Sequence, residues 1–352
     1  MMVHLWVRAE SRPNECRVGV TPDGVRELLA QGFRITVEES PHRILPIGDY
    51  HDAGAAIVSR DTWPDAPAEA IIFGIKELPE DGPPLQHRHI MFGHAYKDQP
   101  AGIALLHRFK AGGGRLYDLE YLTEASGRRL AAFGYWAGFA GAAVSLKAWA
   151  AQKRGAECGP VHAHPSQNVM IDELRADLDS TGQSRPRAIV IGALGRVGSG
   201  ASDLLTRLGV SVTKWDMAET AHGGPFPEIL MHDLFINCIL AQPGAPVFVA
   251  PEAVGPARLL SVIGDVACDP TSVFNPVKVY DRVTDWTHPT LRVAEHPPLD
   301  VMAIDNLPSL LPLESSIDFA AQILPVLKNL DRIDEDAWGR ASRLYDQHIA
   351  PL

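Results

Sequence analysis

Residues 188–209, AIVIGALGRVGSGASDLLTRLG, decide the reading of the fold. An apolar strand, Ala188 to Ile191, runs into Gly192, Gly195 and Gly198 and then into an amphipathic helix. The spacing is GxxGxxG, a variant of the dinucleotide fingerprint. Glycines there allow a tight turn, let backbone approach a pyrophosphate and permit close helix packing, while the helix N-terminus offers N–H groups to phosphate. Arg196 and Val197 sit inside this turn. VSVTKWD then supplies a second strand ending at Asp216, where a carboxylate binds both ribose hydroxyls and repels a 2′-phosphate, so the expected cofactor is NAD and not NADP. A tightly packed βα turn beside a solvated Asp216 would leave the same pattern. Further on, DLFINCIL reads as a buried strand whose Asn237–Cys238 end faces the cofactor, although a cysteine there is more often core than chemistry.

Working outward, HLWVRAE is a strand, TPDGVRELLAQG a helix with Thr21 as cap and Pro22 at its first position, and FRITVEES a strand. AIIFGIKELPE and HIMFGHAYKD are strands, AGIALLHRFKAGG a helix closed by glycines, and GRLYDLEYLT a further strand. This alternation predicts a parallel α/β sheet. Residues 134–154 form a long buried connecting helix whose small residues allow close packing on a neighbour. GAECGPVHAHPSQNVM and ADLDSTGQSRP read as loop-rich. The chain closes with two helical segments, at LPSLLPLESSIDFAAQILPVLKNL and EDAWGRASRLYDQHIAPL, that lack a strand partner nearby.

A chain of 352 residues with 46% hydrophobic and 21% charged content exceeds one core and is expected to build two domains. The net charge of -11, without any Lys/Arg block, argues against nucleic-acid binding and for a small-molecule partner. Cys16, Cys158, Cys238 and Cys268 are scattered, as expected of reduced thiols in a cytoplasmic protein. No signal-peptide core and no membrane-length apolar run is visible, so no membrane role is expected.

Charge gathers at strand ends. Lys76 and Glu77 follow the apolar Ile71–Ile75 run, and desolvation there would lower a lysine pKa toward that of a usable base. His94 stands between an apolar strand and a polar loop, suited to proton transfer near neutral pH. Asp118 and Glu120 lie in YDLEYL. Arg17, Lys97, Arg128 and Arg129 are candidates for pairing with substrate carboxylates. Each also has a plain reading as a surfacing lysine, a structural histidine or an ion-paired surface group. No metal site is expected: VHAHP and QHRH come without cysteine or carboxylate partners at a recognisable ligand spacing.

Taken together, RAESRPNECRVGVTPDGVRELLAQGFRITVEES, IIFGIKELPE, HIMFGHAYKDQ, LYDLEYL, GRRLAAFGYWAGFAGAA, GALGRVGSGA, KWD, FINCI and IDNLPSLLP resemble the NAD-dependent, L-lysine-forming saccharopine dehydrogenases. The likeness is spread in order over nearly the whole chain. Its first block and the KE and H motifs are shared more loosely with alanine dehydrogenases and the transhydrogenase nucleotide domain. The resemblance implies two Rossmann-like, doubly wound parallel-sheet domains with an interdomain cleft. A substrate domain would span 1–132 plus 313–352 and an NAD-binding domain 133–312. It implies reversible oxidative deamination of saccharopine to L-lysine and 2-oxoglutarate, with Lys76 and His94 as the acid–base pair and Glu77 and Glu120 tuning them. Arg17, Lys97, Arg128 and Arg129 would hold substrate carboxylates, and Cys238 and Asp305 would lie by the cofactor with the glycine turn. The chain departs from the family pattern at Val197, where some members carry a cysteine, and at His222 and Leu313, often arginine there. The alternatives are an alanine dehydrogenase-like or other opine-type enzyme, and a non-catalytic NAD-binding regulatory protein.

Overall fold

The computed structural model describes residues 2–97, 99–240 and 242–352, so Asp98 of HAYKDQ lies outside the described residues. The chain forms two compact units, Met1–Ala132 with Pro312–Leu352, and Phe133–Leu311.

In the first unit the chain runs β1 (His4–Val7), α1 (Pro22–Ala30), β2 (Arg34–Glu38), α2 (Ile47–Asp52), β3 (Ala56–Val58), β4 (Ile71–Phe73), β5 (Arg88–Met91), α3 (Pro100–Gly112) and β6 (Arg115–Asp118). The strands form one sheet in the order β3-β2-β1-β4-β5-β6, with every pairing parallel. Their cores are almost wholly buried, as a sheet covered on both faces requires. Thr21 caps α1 by accepting from the Gly24 N–H at 3.2 Å, and Gly32 in left-handed backbone lets the chain turn into β2. The two closing helices, Pro312–Leu327 and Asp336–Ile349, belong to this unit. Ser316 Oγ accepts from the Val18 N–H at 2.9 Å, and the Tyr345 hydroxyl donates to the Gly114 carbonyl at 3.0 Å.

The second unit runs α4 (Gly134–Lys153), α5 (Gln167–Ser180), β7 (Arg187–Ile191), α6 (Arg196–Arg207), β8 (Ser211–Trp215), α7 (Met217–Thr220), α8 (Pro227–Leu230), β9 (Leu234–Asn237), β10 (Val262–Asp265), β11 (Leu291–Ala294) and β12 (Leu299–Met302). Its sheet has the order β11-β12-β10-β9-β7-β8 and is parallel except for β11, which runs against β12. The α/β class of two mostly parallel sheets with helices is the expected one.

One stretch departs from its reading. Residues taken as loop contain α5, because Ser166 accepts from the Val169 N–H and Met170, Ile171, Leu174 and Leu178 bury one helical face.

Helix α4 is apolar on nearly all sides and buried along most of its length. It packs tightly on α6, and glycines set the separation: a Cβ on Gly138 would run into the Val197 carbonyl, and one on Gly200 into the Tyr135 carbonyl. Because the obstructing atoms are backbone, they yield only if a helix shifts. Gly138→Ala is therefore expected to destabilise the protein by about 1–3 kcal/mol. Urea unfolding measures this, and an unchanged midpoint would show that the helices are not in limiting contact.

Candidate active site

In parallel sheets chemistry collects beyond the carboxyl ends of the strands, near the point where strand order reverses. In the first unit β1 lies between β2 and β4, and Lys76, His94 and Glu120 leave the sheet two or three residues beyond β4, β5 and β6. The Phe92 N–H donates to the Ile75 carbonyl at 2.9 Å, so the segments carrying Lys76 and His94 run side by side.

Lys76 is held through its backbone. Glu10 accepts from the Ile75 N–H at 2.6 Å and from the Lys76 N–H at 3.0 Å, while Arg8 donates to the Lys76 carbonyl. Glu77 pairs with Arg12. Arg17 makes a two-pronged contact with Glu15, Nε to Oε1 at 2.8 Å and Nη2 to Oε2 at 2.6 Å, and its side chain is only 3% exposed. Burial pushes the Glu15 carboxyl up, but the charge and hydrogen bonds of Arg17, with Lys76 adding its charge, hold it below the usual range.

Glu120 joins the other two candidates. Its Oε2 lies 3.2 Å from His94 Nδ1, and its Oε1 accepts from Lys97 Nζ at 2.9 Å. The hydrogen bond from His94, opposed by burial and reinforced by Lys97, brings the Glu120 carboxyl down to about 2. Lys97 is raised in turn, since the hydrogen bond and charge of Glu120 outweigh its own burial. His94 sits in left-handed backbone, φ 49°, a conformation uncommon for a residue with a Cβ, and its ring stacks on Phe92.

Asp118 closes β6, almost fully buried, and accepts from the Glu120 N–H at 2.9 Å, fixing the turn that presents Glu120. Burial raises its carboxyl to about 6. Arg128 and Arg129 stand on a hairpin closed by Gly127 and bridged between Thr123 and Arg129. Arg128 turns onto Glu124, Nη2 to Oε1 at 2.5 Å, and is exposed, as is Arg129. Thus Lys76 joins Glu15 and Arg17, and His94 joins Glu120 and Lys97, whereas Arg128 is engaged by its own surface carboxylate.

In the second unit Gly192, with φ 84°, turns the chain out of β7, and Gly195 begins α6 with no side chain capping the helix start. A Cβ on Gly198 would collide with the Gly192 carbonyl. Asp216 ends β8 and accepts from the Leu194 N–H at 3.0 Å and the Met217 N–H at 2.9 Å. A glycine turn that only backbone can fill, an uncapped helix N-terminus and a carboxylate at the second strand end fit a dinucleotide. Val197 lies against Gly134 and Gly138 of α4. Cys238 is a free thiol pushed up by burial, and with Val197 in the turn it has no partner there for a disulfide. Asp305 is exposed, and its charge adds to the burial that raises Cys268 to about 12. His222 packs edge-on against Phe226, and Leu313 is half-buried on a closing helix.

Sequence reasoning missed the groups that hold these residues in place. Glu10 and Glu15 carried no signal, and Asp265, at the end of β10, was not singled out. Its carboxylate accepts from Asn237 Nδ2 at 2.9 Å and the Tyr280 hydroxyl at 2.7 Å, which locks the chain ahead of Cys238.

Residues 6–140 match the family model of the alanine dehydrogenase and PNT N-terminal domain. A saccharopine dehydrogenase (NAD+, L-lysine-forming) of Yarrowia lipolytica is 45% identical over 99% of this chain and 98% of its own. The protein of that name from Schizosaccharomyces pombe is 42% identical over 99% of both. The chain belongs to the lysine-forming saccharopine dehydrogenase family. Two solved structures share the fold of this family member. They are an L-alanine dehydrogenase, with TM-score 0.67 and 20% identity over 99% of this chain and 94% of its own, and a transhydrogenase from Sinorhizobium meliloti, with TM-score 0.60 and 16% identity over 94% and 95%.

The raised Asp118 carboxyl has a measurable consequence. Between pH 4 and 6 the folded chain keeps a proton on Asp118 that the unfolded chain has lost, so this group makes stability fall as pH rises through that window. Asp118→Asn keeps an acceptor for Glu120 and removes the ionisation. Its stability relative to the unmodified protein is expected to climb from pH 4 to pH 6 in urea titrations, and a flat difference would contradict the buried-carboxyl account.

Proposed function

We propose that this family member catalyses the reversible NAD-dependent oxidative deamination of saccharopine to L-lysine and 2-oxoglutarate. The observation that carries the reading is the Glu120 carboxylate gripping His94 and Lys97 on strand ends next to Lys76, in a chain of this family.

The chemistry demands such a set. A secondary amine must lose its proton before hydride can leave Cα, and water must then lose protons as it adds to the imine and expels the amine. In balance, saccharopine, NAD+ and water give lysine, 2-oxoglutarate, NADH and a proton. NAD, when bound, supplies the hydride acceptor. Lys76 and His94 move the protons. Glu120 engages His94 at Nδ1, which orients the ring and leaves Nε2 to meet the reacting nitrogen or water. Glu77 and Glu120 keep negative charge beside the two bases. Arg17, Lys97, Arg128 and Arg129 take substrate carboxylates, and this clamp places Cα for transfer.

The first unit serves as the substrate-binding and proton-transfer domain. The second holds NAD through Gly192, Gly195, Arg196, Val197, Gly198 and Asp216, with Cys238 and Asp305 on neighbouring strand ends. Among the described residues no helix is long and apolar enough to cross a membrane. The four free cysteines favour a reducing, cytoplasmic location, and the acidic net charge favours small-molecule over nucleic-acid partners.

A panel pairing 2-oxoglutarate or pyruvate with lysine, ornithine or ammonia tests the substrate through NADH consumption. Turnover confined to 2-oxoglutarate plus lysine is expected, and turnover of pyruvate with ammonia would overturn it. His94→Gln is expected to slow the chemical step roughly a hundredfold, the scale of losing a positioned acid–base group, while NAD affinity stays near the original value. A near-normal pH–rate profile in that variant would remove His94 from the mechanism. If Asp216 binds the ribose hydroxyls, kcat/KM favours NAD over NADP by about tenfold or more, and Asp216→Ala narrows the gap. Equal use of both cofactors by the unmodified protein would refute this role.

A further inference from the structure

Away from both strand-end clusters, the second unit gathers three side chains that the proposed reaction does not use. On the loop between α4 and α5, His162 and His164 stack with ring centroids 4.7 Å apart and planes at 23°. His164 Nε2 lies 2.9 Å from Oε2 of Glu173 on α5. One nitrogen or carboxylate oxygen from each of the three falls within 4.8 Å of the others. We propose that His162, His164 and Glu173 form a binding site for a divalent cation of the zinc class.

The backbone fixes the arrangement from several sides. The Val161 N–H donates to the Trp286 carbonyl and the His164 N–H to the Leu310 carbonyl, each at 2.8 Å, so the loop is pinned on either side of the pair. Between these ties, the stacked rings put two imidazoles at positions i and i+2 on one side of the loop. Glu173 is set by a helix whose start Ser166 caps and whose opposite face is buried.

A single proton satisfies the His164–Glu173 pair but does nothing for His162, which makes no hydrogen bond among the described residues. Among the described residues the only ring hydrogen bond His164 makes is to Glu173, and its Nδ1 is buried without a partner. A cation in a tetrahedral site at about 2.0–2.2 Å from each ligand needs ligand atoms roughly 3.4 Å apart. Closure by at most about 1.4 Å, mostly at the exposed His162, with the 2.9 Å His164–Glu173 contact opening slightly, brings the present spacing to that value.

Two imidazoles and one carboxylate are the donors of a zinc-type ion and not of calcium or magnesium, which take oxygen ligands. His162 and Glu173 are exposed, which leaves a fourth position for water. Lys147, the ammonium lining the adjoining cavity, donates to the Pro160 carbonyl at 2.7 Å. The bound ion would clasp the 155–166 loop to α5, a stabilising link within the second unit.

The test uses full-length protein without a polyhistidine tag, stripped with a chelator and titrated with Zn2+ by calorimetry and with Co2+ by absorption. One equivalent is expected, with a cobalt spectrum of low coordination number and a melting temperature that rises with added zinc. His162→Ala and Glu173→Gln, both at exposed positions that tolerate change, are each expected to weaken binding by about tenfold or more and to abolish the thermal shift. Absence of stoichiometric binding would overturn the site, as would binding that survives both substitutions and so belongs to other surface histidines. Neither readout depends on dehydrogenase activity.

Discussion

Parallel strands all leave their sheet at the same edge, and the peptide groups there have lost the partners that the ladder supplies. The chain meets this constraint mainly with carboxylates. Glu38, closing β2, accepts from Trp6 Nε1 and from the N–H groups of Ala9, Asp61 and Trp63. Glu10 takes the N–H groups ahead of and at Lys76, Asp118 that of Glu120, and Asp216 those of Leu194 and Met217. A carboxylate that satisfies backbone also attracts cations and holds histidines by a ring nitrogen. The framework that ends the strands is therefore what arranges the titratable groups.

Two carboxylates only two residues apart show how environment divides the labour. Asp118 and Glu120 share one turn, yet burial raises the first while His94 and Lys97 lower the second. Glu120 consequently holds its charge more readily than an ordinary glutamate. A charged acceptor at Nδ1 favours the neutral tautomer of His94 with its proton on that side, so the other nitrogen carries the lone pair. Asp118 contributes geometry: it anchors Glu120 without competing for His94. Reversing the two environments would give a neutral carboxyl at the histidine and a charged one in the core, losing orientation and stability together.

Local chemistry made much of this legible. Thr21, Pro22 and Gly32 bracket α1, and the Gly192–Gly198 turn between an apolar strand and an amphipathic helix declares the second unit by itself. Lys76, His94 and Glu120 are legible as strand-end groups because an apolar strand that becomes abruptly polar marks the sheet edge. Helix α5 escaped notice because its apolar face is interrupted by Asp, Glu and Arg and flanked by proline and glycine. Strands β10 and β12 are less legible than β9 because Gly264 and Asp265 in VIGD and Asp300 in LDVM break the apolar run. Glu10 and Glu15 read as ordinary N-terminal charges; their burial depends on partners such as Ile75, far along the chain. No local pattern encodes that.

The charge pattern of the site bears on how it receives an anionic substrate. Arg17 faces Glu15, Lys97 faces Glu120, Arg12 faces Glu77 and Arg128 faces Glu124, so four cations are each matched by a carboxylate of the same unit. Such pairing holds the long side chains in one geometry, and it cancels most of the field that a bare cluster of cations would exert. Under the proposed function, a substrate carboxylate would be recognised here by fit more than by attraction at a distance. At Arg17 the Nε edge is already taken by Glu15. The Lys97 ammonium is held by Glu120, so any pull on Lys97 is felt by the carboxylate that contacts His94. In the proposed reaction, substrate binding at Lys97 would be coupled to His94 through Glu120, so a ligand lacking the corresponding carboxylate would bind without setting the base.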